Sequence, residues 1–116
     1  MESPFFSTYL RFLQLSKALS DGAGMNLDAN CRALLEAVAL AWYAGSSMSV
    51  RQAMALDSLG SPATLHKRLT ILRAEGYLEE GAAQGDKKTK LLIPTQKALG
   101  YFETLSHVMA LPQPVA

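Results

Sequence analysis

Residues 61–78 read SPATLHKRLTILRAEGYL, and this stretch decides the fold. Ser61 is a residue type that caps helix N-termini, and Pro62 suits the first helical turn. Gly76 is expected to end the helix, because glycine readily takes the left-handed conformation that follows a helix. The stretch therefore predicts a helix from Ser61 to about Glu75.

The predicted helix has two unlike faces. Leu65, Leu69 and Leu72 recur at helical spacing, which places them on one apolar stripe. The opposite face carries the small, polar or basic residues Ala63, Lys67, Thr70 and Ala74, and its flanks carry Thr64, His66 and the apolar Ile71. We expect the leucines to be buried and the other face to remain available to a partner.

Three further helices are predicted upstream. The first covers about residues 4–21. The second runs from its expected N-cap, Asp28, to about Tyr43, and it is apolar almost all round, so we expect it to be buried. The third, Val50 to Leu59, is short and turns Arg51 outward. The short helix, the turn at residues 60–62 and the next helix predict a helix-turn-helix.

Two short strands are predicted downstream, at residues 77–79 and 90–93. The segment between them, Gly81 to Thr89, is interpreted as a long hairpin tip that is basic at its far end. A last helix begins after Thr95 and runs to about Ala110. The predicted fold class is therefore all-α with a small β-hairpin wing, a winged helix-turn-helix.

Charge is unevenly distributed along the chain, although the net charge is only +1. Residues 1–50 hold three basic and four acidic residues, whereas residues 51–97 hold eight basic and five acidic residues. A basic excess confined to a helix-turn-helix and its wing is typical of nucleic-acid binding. Basic residues are also typical of a solvated helix face, and Arg73 is equally interpreted as an ion-pair partner of Glu75, Glu79 or Glu80.

Double-stranded DNA is the predicted partner because a helix of this diameter fits the major groove, which is about 12 Å wide. The recognition helix, Ser61 to Glu75, would read base edges, and the wing, Gly81 to Lys90, would contact the flanking backbone or minor groove. The candidate DNA-binding residues are Arg51, Ser61, Ala63, Thr64, His66, Lys67, Arg68, Thr70, Lys87, Lys88 and Lys90.

Three segments resemble the winged-helix regulators of the multiple-antibiotic-resistance regulator (MarR) type. Residues 61–78 resemble the recognition helix, residues 86–88 (DKK) the wing-tip Asp-x-Arg, and residues 93–98 (IPTQKA) the Leu-Thr-x-Lys-Gly that follows the wing. Lysine stands at position 88 where the family has arginine. The resemblance covers roughly residues 26–101 and implies a homodimer that places two recognition helices in successive major grooves. It also implies, for many members, a small-molecule or redox effector.

Aromatic residues are concentrated in the terminal helices, more than a winged-helix core needs. We expect residues 1–24 and 98–116 to serve dimerisation and residues 25–97 to form the DNA-binding domain. An alternative for the first helix is that it simply lies on the core. The candidate dimer-interface residues are Phe5, Phe6, Tyr9, Phe12, Tyr101, Phe102, Leu105 and Met109.

The remaining chemistry of the chain is sparse. Cys31 is the single cysteine, so an internal disulfide is excluded. The chain has only two histidines, His66 and His107, so no tetrahedral zinc site is expected. A buried structural thiol is favoured over a redox sensor at Cys31. No nucleophile, base or phosphate-binding motif stands out, so neither an enzyme nor a bound cofactor or metal is predicted.

Membrane insertion and secretion are not predicted. The longest apolar stretch, Ala37 to Ala44, is far shorter than the ~20 residues of a spanning helix, and residues 1–4 lack the positive charge of a secretory signal. A cytoplasmic protein is expected. The predicted function is a sequence-specific DNA-binding transcriptional regulator, in its simplest form a homodimeric repressor; the alternative is a winged-helix interaction or assembly module that does not bind DNA.

Overall fold

The computed structural model describes residues 4–22, 27–83 and 86–110, with side chains described at 9–18, 27–81 and 89–107. Its elements, in chain order, are α1 (Pro4–Gly22), α2 (Ala29–Tyr43), α3 (Val50–Met54), a 3₁₀ turn (Asp57–Leu59), α4 (Pro62–Ala74), β1 (Leu78–Ala83), β2 (Asp86–Pro94) and α5 (Gln96–Ala110). The predicted fold class, helices with one β-hairpin, is confirmed. The chain divides into two units, one of Met1–Asn26 with Gly100–Ala116 and one of Leu27–Leu99.

Leucines from several elements form the core of the Leu27–Leu99 unit. The predicted stripe of α4 is confirmed, since Leu65, Leu69 and Leu72 are fully buried. α4 packs against α2, α3 and β1, and α2 also packs against β2. The other fully buried large aliphatic side chains described in this core are Leu34, Leu35 and Val38 of α2 and Leu92 of β2. This shared core fixes the orientation of α4.

Short polar residues begin the helices of this unit, as the sequence predicts. An Asp28 carboxylate oxygen accepts the Cys31 backbone N–H at 2.7 Å at the start of α2. Ser49 and Gln52 form a reciprocal capping box at the start of α3. Ser61 caps α4, and Pro62 is its first residue. The predicted starts of these three helices are therefore confirmed.

Helix α3 is shorter than predicted. It ends at Met54, and the predicted remainder contains a turn and the 3₁₀ segment Asp57–Leu59. The Ala55 N–H bonds to the Gln52 carbonyl, and the Leu59 N–H bonds to the Leu56 carbonyl, so this part follows the tighter i to i+3 pattern. Aspartate and serine favour such turns because their side chains compete with helical hydrogen bonds.

The hairpin has longer strands than predicted. β1 and β2 pair antiparallel, and the pairing continues through Gly81 with Leu91, Ala82 with Lys90 and Ala83 with Asp86. The prediction of a long tip over Gly81 to Thr89 is therefore wrong, although residues 84 and 85 lie outside the described part of the chain. Glycine and alanine have low strand propensity, so the sequence does not signal strand in a segment that the ladder nevertheless continues.

The hairpin also pairs with the segment before α3. The Leu92 backbone N–H donates to the Met48 carbonyl at 2.7 Å, and Ser49 forms an isolated bridge with Leu91. This contact ties the second strand of the wing to the beginning of the helix-turn-helix. Sequence patterns do not predict this contact, because a single bridge has no periodicity.

The end of α2 is more exposed than predicted. Leu40 is 68% exposed and Tyr43 is 84% exposed, whereas Leu34 and Leu35 are fully buried. The prediction of a helix buried all round is therefore wrong for its last turns. Hydrophobic composition shows that a helix can be buried, but the elements that pack on it determine which turns are covered.

The Met1–Asn26 and Gly100–Ala116 unit contains α1 and most of α5. On α1, Tyr9, Leu10 and Leu13 are exposed, and Phe12 is partly buried. On α5, the rings of Tyr101 and Phe102 lie 5.8 Å apart, and Leu105 is already buried within the single chain. The side chains of three predicted interface residues lie outside the described part: Phe5, Phe6 and Met109. In the segments that the structure describes, no helix has both the length and the apolar character needed to cross a membrane.

Candidate nucleic-acid interface

The outer face of α4 is exposed along its length. It combines small, polar and basic side chains, and the helix contains no acidic residue. Thr64 and Ile71 are partly buried at its flanks. The exposed members are Ser61, Ala63, His66, Lys67, Thr70 and Ala74. A narrow helix face of this composition can approach a polyanion closely without charge repulsion.

Lys67 is the central charge of this face. It is exposed, and no ion pair joins it to a carboxylate among the described side chains. Thr70, one turn further on, donates its hydroxyl hydrogen to the His66 carbonyl at 3.0 Å. Lys67 is therefore free to contact phosphate or the acceptor atoms of a guanine.

Ser61 holds the first turn of α4. Its Oγ accepts the Thr64 backbone N–H at 3.3 Å and donates to Thr64 Oγ1 at 3.0 Å. The side chain therefore acts as a helix cap, while the first turn keeps the partial positive charge of a helix N-terminus. Such an end is suited to face an anion.

Arg68 braces the turn before α4. Its Nη1 donates to the Leu59 carbonyl at 2.8 Å, in a partly buried position. Gly60 lies between these residues with φ 149°, a conformation nearly restricted to glycine, and an added Cβ would lie 3.3 Å from Arg68 Nη1. The predicted DNA contact of Arg68 remains a prediction, since the structure shows the guanidinium engaged in the turn.

Arg51 lies on α3, where it is exposed. It borders an open groove of about 610 Å³ between α3 and the start of α4, which is lined by Val50, Arg51, Met54, Ala55, Asp57 and Pro62. Asp57 shares this groove with Arg51, so the groove carries no excess positive charge. Arg51 is therefore available to a phosphate as a single charge rather than as part of a basic pocket.

The predicted basic residues of the wing are only partly described. Lys87 and Lys88 belong to β2 by their backbone, but their side chains lie outside the described part of the structure. Lys90 is 65% exposed, and its Nζ lies 3.6 Å from Glu80 Oε2. Glu80 also pairs with Arg73, so the interpretation of Arg73 as an ion-pair residue is confirmed.

The far end of α4 is held by Gly76, whose role at the end of the helix is predicted from the sequence, and by Thr95 and Lys97, whose contacts with this end are not. Gly76 has φ 80°, and the Tyr77 N–H bonds back to the Leu72 carbonyl. Thr95 Oγ1 donates to the Gly76 carbonyl at 2.6 Å. Lys97 Nζ donates to the Glu75 carbonyl at 2.7 Å and lies 4.4 Å from the centre of the Tyr77 ring. In the sequence, the signal that could have indicated these contacts is the segment IPTQKA, residues 93–98, which was noted for its resemblance to the family motif that follows the wing.

Cys31 is buried beside the start of α2. Burial is the main cause that raises the pKa of its thiol, and the neighbouring Asp28 carboxylate raises it further. A raised pKa keeps the sulfur in the unreactive thiol form, as expected of a structural cysteine. In the described part of the chain, no three side chains of histidine, cysteine, aspartate or glutamate cluster as metal ligands would.

Solved structures with the same arrangement of elements are transcriptional regulators. A regulator from Thermotoga maritima has a TM-score of 0.63 at 17% identity, and the match covers 90% of this chain and 66% of that one. The apo form of MarR from E. coli has a TM-score of 0.57 at 15% identity, with 95% and 79% covered. A heme sensor protein from Streptococcus agalactiae, in complex with heme, has a TM-score of 0.54 at 19% identity, with 92% and 76% covered.

The chain has the fold of the MarR-type winged helix. The resemblance noted in the sequence is thereby confirmed at the level of fold. No family model and no curated protein sequence matches the chain. This winged helix spans about two thirds of the Thermotoga regulator's own length. In this fold, α4 is the second helix of the helix-turn-helix, and the hairpin of β1 and β2 is the wing.

Proposed function

We propose that this winged helix is a transcriptional regulator that binds double-stranded DNA in a sequence-specific manner, in its simplest form as a homodimeric repressor. The observation that carries the proposal is the outer face of α4, which is exposed, free of acidic residues and centred on Lys67. A helix with such a face, followed directly by a hairpin, fits the geometry in which the helix enters the major groove and the hairpin lies along the flanking DNA.

The proposed contacts divide by their chemistry. Lys67, His66 and Thr70 lie on the exposed face and are suited to base edges, whereas Arg51 and the first turn of α4 are suited to phosphates. Lys87 and Lys88 would meet the backbone or minor groove from the wing. Lys90, also predicted as a contact, has its Nζ 3.6 Å from Glu80 Oε2 and would reach a phosphate only by leaving that carboxylate. Arg68 supports the turn that presents the helix, so its effect on DNA binding is expected to be indirect.

A homodimer is part of the proposal. Tyr9, Leu10 and Leu13 are exposed on α1 at helical spacing, and exposed apolar clusters of this kind favour burial against another chain. Leu105 contributes less, because it is already buried in the single chain. A two-fold dimer would read a pseudo-palindrome with half-site centres about 34–36 Å apart. A small-molecule effector remains a prediction of the family resemblance.

Fluorescence anisotropy with random and genomic duplexes at 50 and 200 mM salt tests the function, with sedimentation to determine the oligomeric state. Affinity should fall by about a thousandfold or more between these salt concentrations if 6–10 phosphates are contacted. Lys67→Glu should greatly weaken binding. Lys17→Glu makes the same change of charge on α1, outside the helix-turn-helix, and should bind nearly as wild type as long as sedimentation shows it to be a dimer.

The absence of binding at 50 mM salt by a folded dimer would refute the proposed function. The interaction-module alternative would then gain support, since the exposed Leu40 and Tyr43 offer an apolar surface on the winged helix itself. Under that alternative, Lys67→Glu would change neither the anisotropy of the duplexes nor the oligomeric state measured by sedimentation.

A further inference from the structure

Glu80 lies at the junction of the recognition helix and the wing. Its carboxylate pairs with the guanidinium of Arg73, in the last turn of α4, and lies 3.6 Å from Lys90 Nζ on β2. The Glu80 side chain is 25% exposed, less than that of Arg73 at 33% or Lys90 at 65%. One sheltered carboxylate thus engages two cations that belong to different elements.

The register of the hairpin explains how Glu80 reaches Lys90. Glu80 pairs with Leu92, and Lys90 pairs with Ala82 two residues further along β1. Glu80 and Lys90 are therefore diagonal neighbours on one face of the hairpin, a separation that long side chains bridge. Glu79 points to the opposite face, because successive side chains alternate along a strand.

The two cations paired with Glu80 flank the proposed DNA-binding surface. Each lysine or arginine that neutralises a phosphate adds to the sequence-independent part of DNA affinity and steepens its salt dependence. A carboxylate that pairs with both cations keeps them from neutralising phosphates. The two cations then contribute less to the sequence-independent part of DNA affinity. Selectivity is the ratio of specific to nonspecific affinity, so a smaller nonspecific term improves it.

We propose that Glu80 is a positioning residue that holds Arg73 and Lys90 away from DNA phosphates and thereby limits nonspecific binding. This inference rests on the proposed DNA-binding function. Glu80 makes no contact with DNA in this arrangement. It acts through the two cations, and it also fixes the wing against the end of the recognition helix.

The test compares Glu80→Gln with Glu79→Gln, which makes the same change of net charge one residue away. Glu79 is exposed and has no ion pair among the described side chains. Binding of a random duplex is titrated from 50 to 200 mM salt. Glu80→Gln should bind more tightly and steepen the slope of log affinity against log salt by about one to two, since one or two cations are released. Glu79→Gln should keep the wild-type slope, and Glu80→Asp, which retains the carboxylate, should lie close to wild type.

Two results would overturn the inference. Equal slopes for Glu80→Gln and Glu79→Gln would show that the pairing does not control the cations. Weaker binding by Glu80→Gln would show that the carboxylate holds the cations toward the phosphates instead.

Amide hydrogen exchange without DNA separates this inference from the function on which it rests. Exchange in residues 78–83 and 86–94 should be faster in Glu80→Gln than in Glu79→Gln, because Glu80 forms an ion pair with Arg73 of α4 and Glu79 has no ion pair among the described side chains. If the folded wild-type dimer binds no duplex at all, the proposed function fails while this exchange difference persists. Equal exchange in the two variants would refute the positioning role itself.

Discussion

The first turn of α4 is held by residues three and nine positions apart in sequence, through the Ser61 cap and the bond from Arg68 to Leu59. The last turn is held by residues 19 and 22 positions apart, through Thr95 to Gly76 and Lys97 to Glu75. The helix therefore begins in a local structure and ends in a long-range one. Residues 61–63 are exposed, whereas Leu72 is buried and Arg73 is partly buried. The end proposed to enter the DNA groove is the one that the rest of the fold covers least.

This difference suits a helix whose first turn is to contact DNA while its last turn is fixed to the rest of the fold. Long-range contacts at Gly76 orient the helix against β2 and α5, so the first turn needs no tertiary partner of its own. Local contacts at Ser61 then shape that turn without covering it. Substitutions at the two ends should accordingly separate stability from DNA binding.

The largest effect on stability is expected at the buried leucine stripe, which runs along α4 and supports both of its ends. Leu69 is fully buried midway along α4. Leu69→Ala should lower the free energy of unfolding by about 2–5 kcal/mol, because it removes buried methyl groups and leaves a cavity. Urea denaturation measures this loss, and Leu69→Met should cost less than about 1.5 kcal/mol. Amide exchange should accelerate at both ends of α4; acceleration at one end alone would show that they do not share this support.

The next effect concerns the long-range end alone. Thr95→Val keeps the shape of the side chain but removes the hydroxyl that donates to the Gly76 carbonyl and accepts the Ala98 N–H. Leaving a partly buried carbonyl without its donor should cost about 1–3 kcal/mol of unfolding free energy. Thr95→Ser retains the hydroxyl and serves as the control. Equal stability of the two variants would contradict the assigned role of this hydrogen bond.

The two ends also differ in how far the sequence predicts them. Ser61-Pro62 and Gly76 predict the bounds of α4 because caps and left-handed glycines act within one turn. Thr95 and Lys97 act on residues 19 and 22 positions away, and single-sequence patterns do not encode such pairings. The resemblance marked both segments as a family motif, but it did not indicate that they contact each other.

The wing and the candidate site show the same limit. The outer face of α4 was predicted residue by residue, because helical periodicity determines which side chains share a face. The full length of β1 was not predicted from the sequence. Gly81, Ala82 and Ala83 have low strand propensity, and they pair because β2 lies opposite them. The pair of Arg73 with Glu80 was one of the alternatives that the sequence offered. The approach of Lys90 to Glu80 depends on that register, so the sequence did not predict it.

A smaller effect on stability is expected at the local end. Ser61→Ala removes the N-cap of α4 and should cost about 1 kcal/mol. Ser61→Asp keeps a capping oxygen, so its stability should remain close to wild type. The added carboxylate would face phosphates in the proposed complex, and like charges in contact cost several kcal/mol, so DNA affinity should fall at least about tenfold. Full DNA affinity in Ser61→Asp would contradict the placement of this turn on the DNA.

The smallest effect concerns Asp28, whose carboxylate connects the cap of α2 with the charge of Arg68. The Cys31 N–H that donates to Asp28 is the largest cause that lowers the pKa of this carboxyl, and Arg68 lowers it further. Because folding lowers the pKa, the stabilisation is complete above the unfolded value, near pH 4, and is lost as the pH falls through the folded value.

Urea denaturation of wild type and Asp28→Asn between pH 7 and pH 2 measures this contribution. Asparagine still caps the helix but does not titrate. Because Asp28 is exposed and solvent screens its charge, the wild type should be only slightly more stable at pH 7, and this advantage should disappear in acid. A difference that stays constant with pH would show that the charge of Asp28 does not contribute. Its disappearance would show that the charge of Asp28 stabilises the fold, chiefly through the Cys31 N–H that it accepts and to a smaller extent through Arg68.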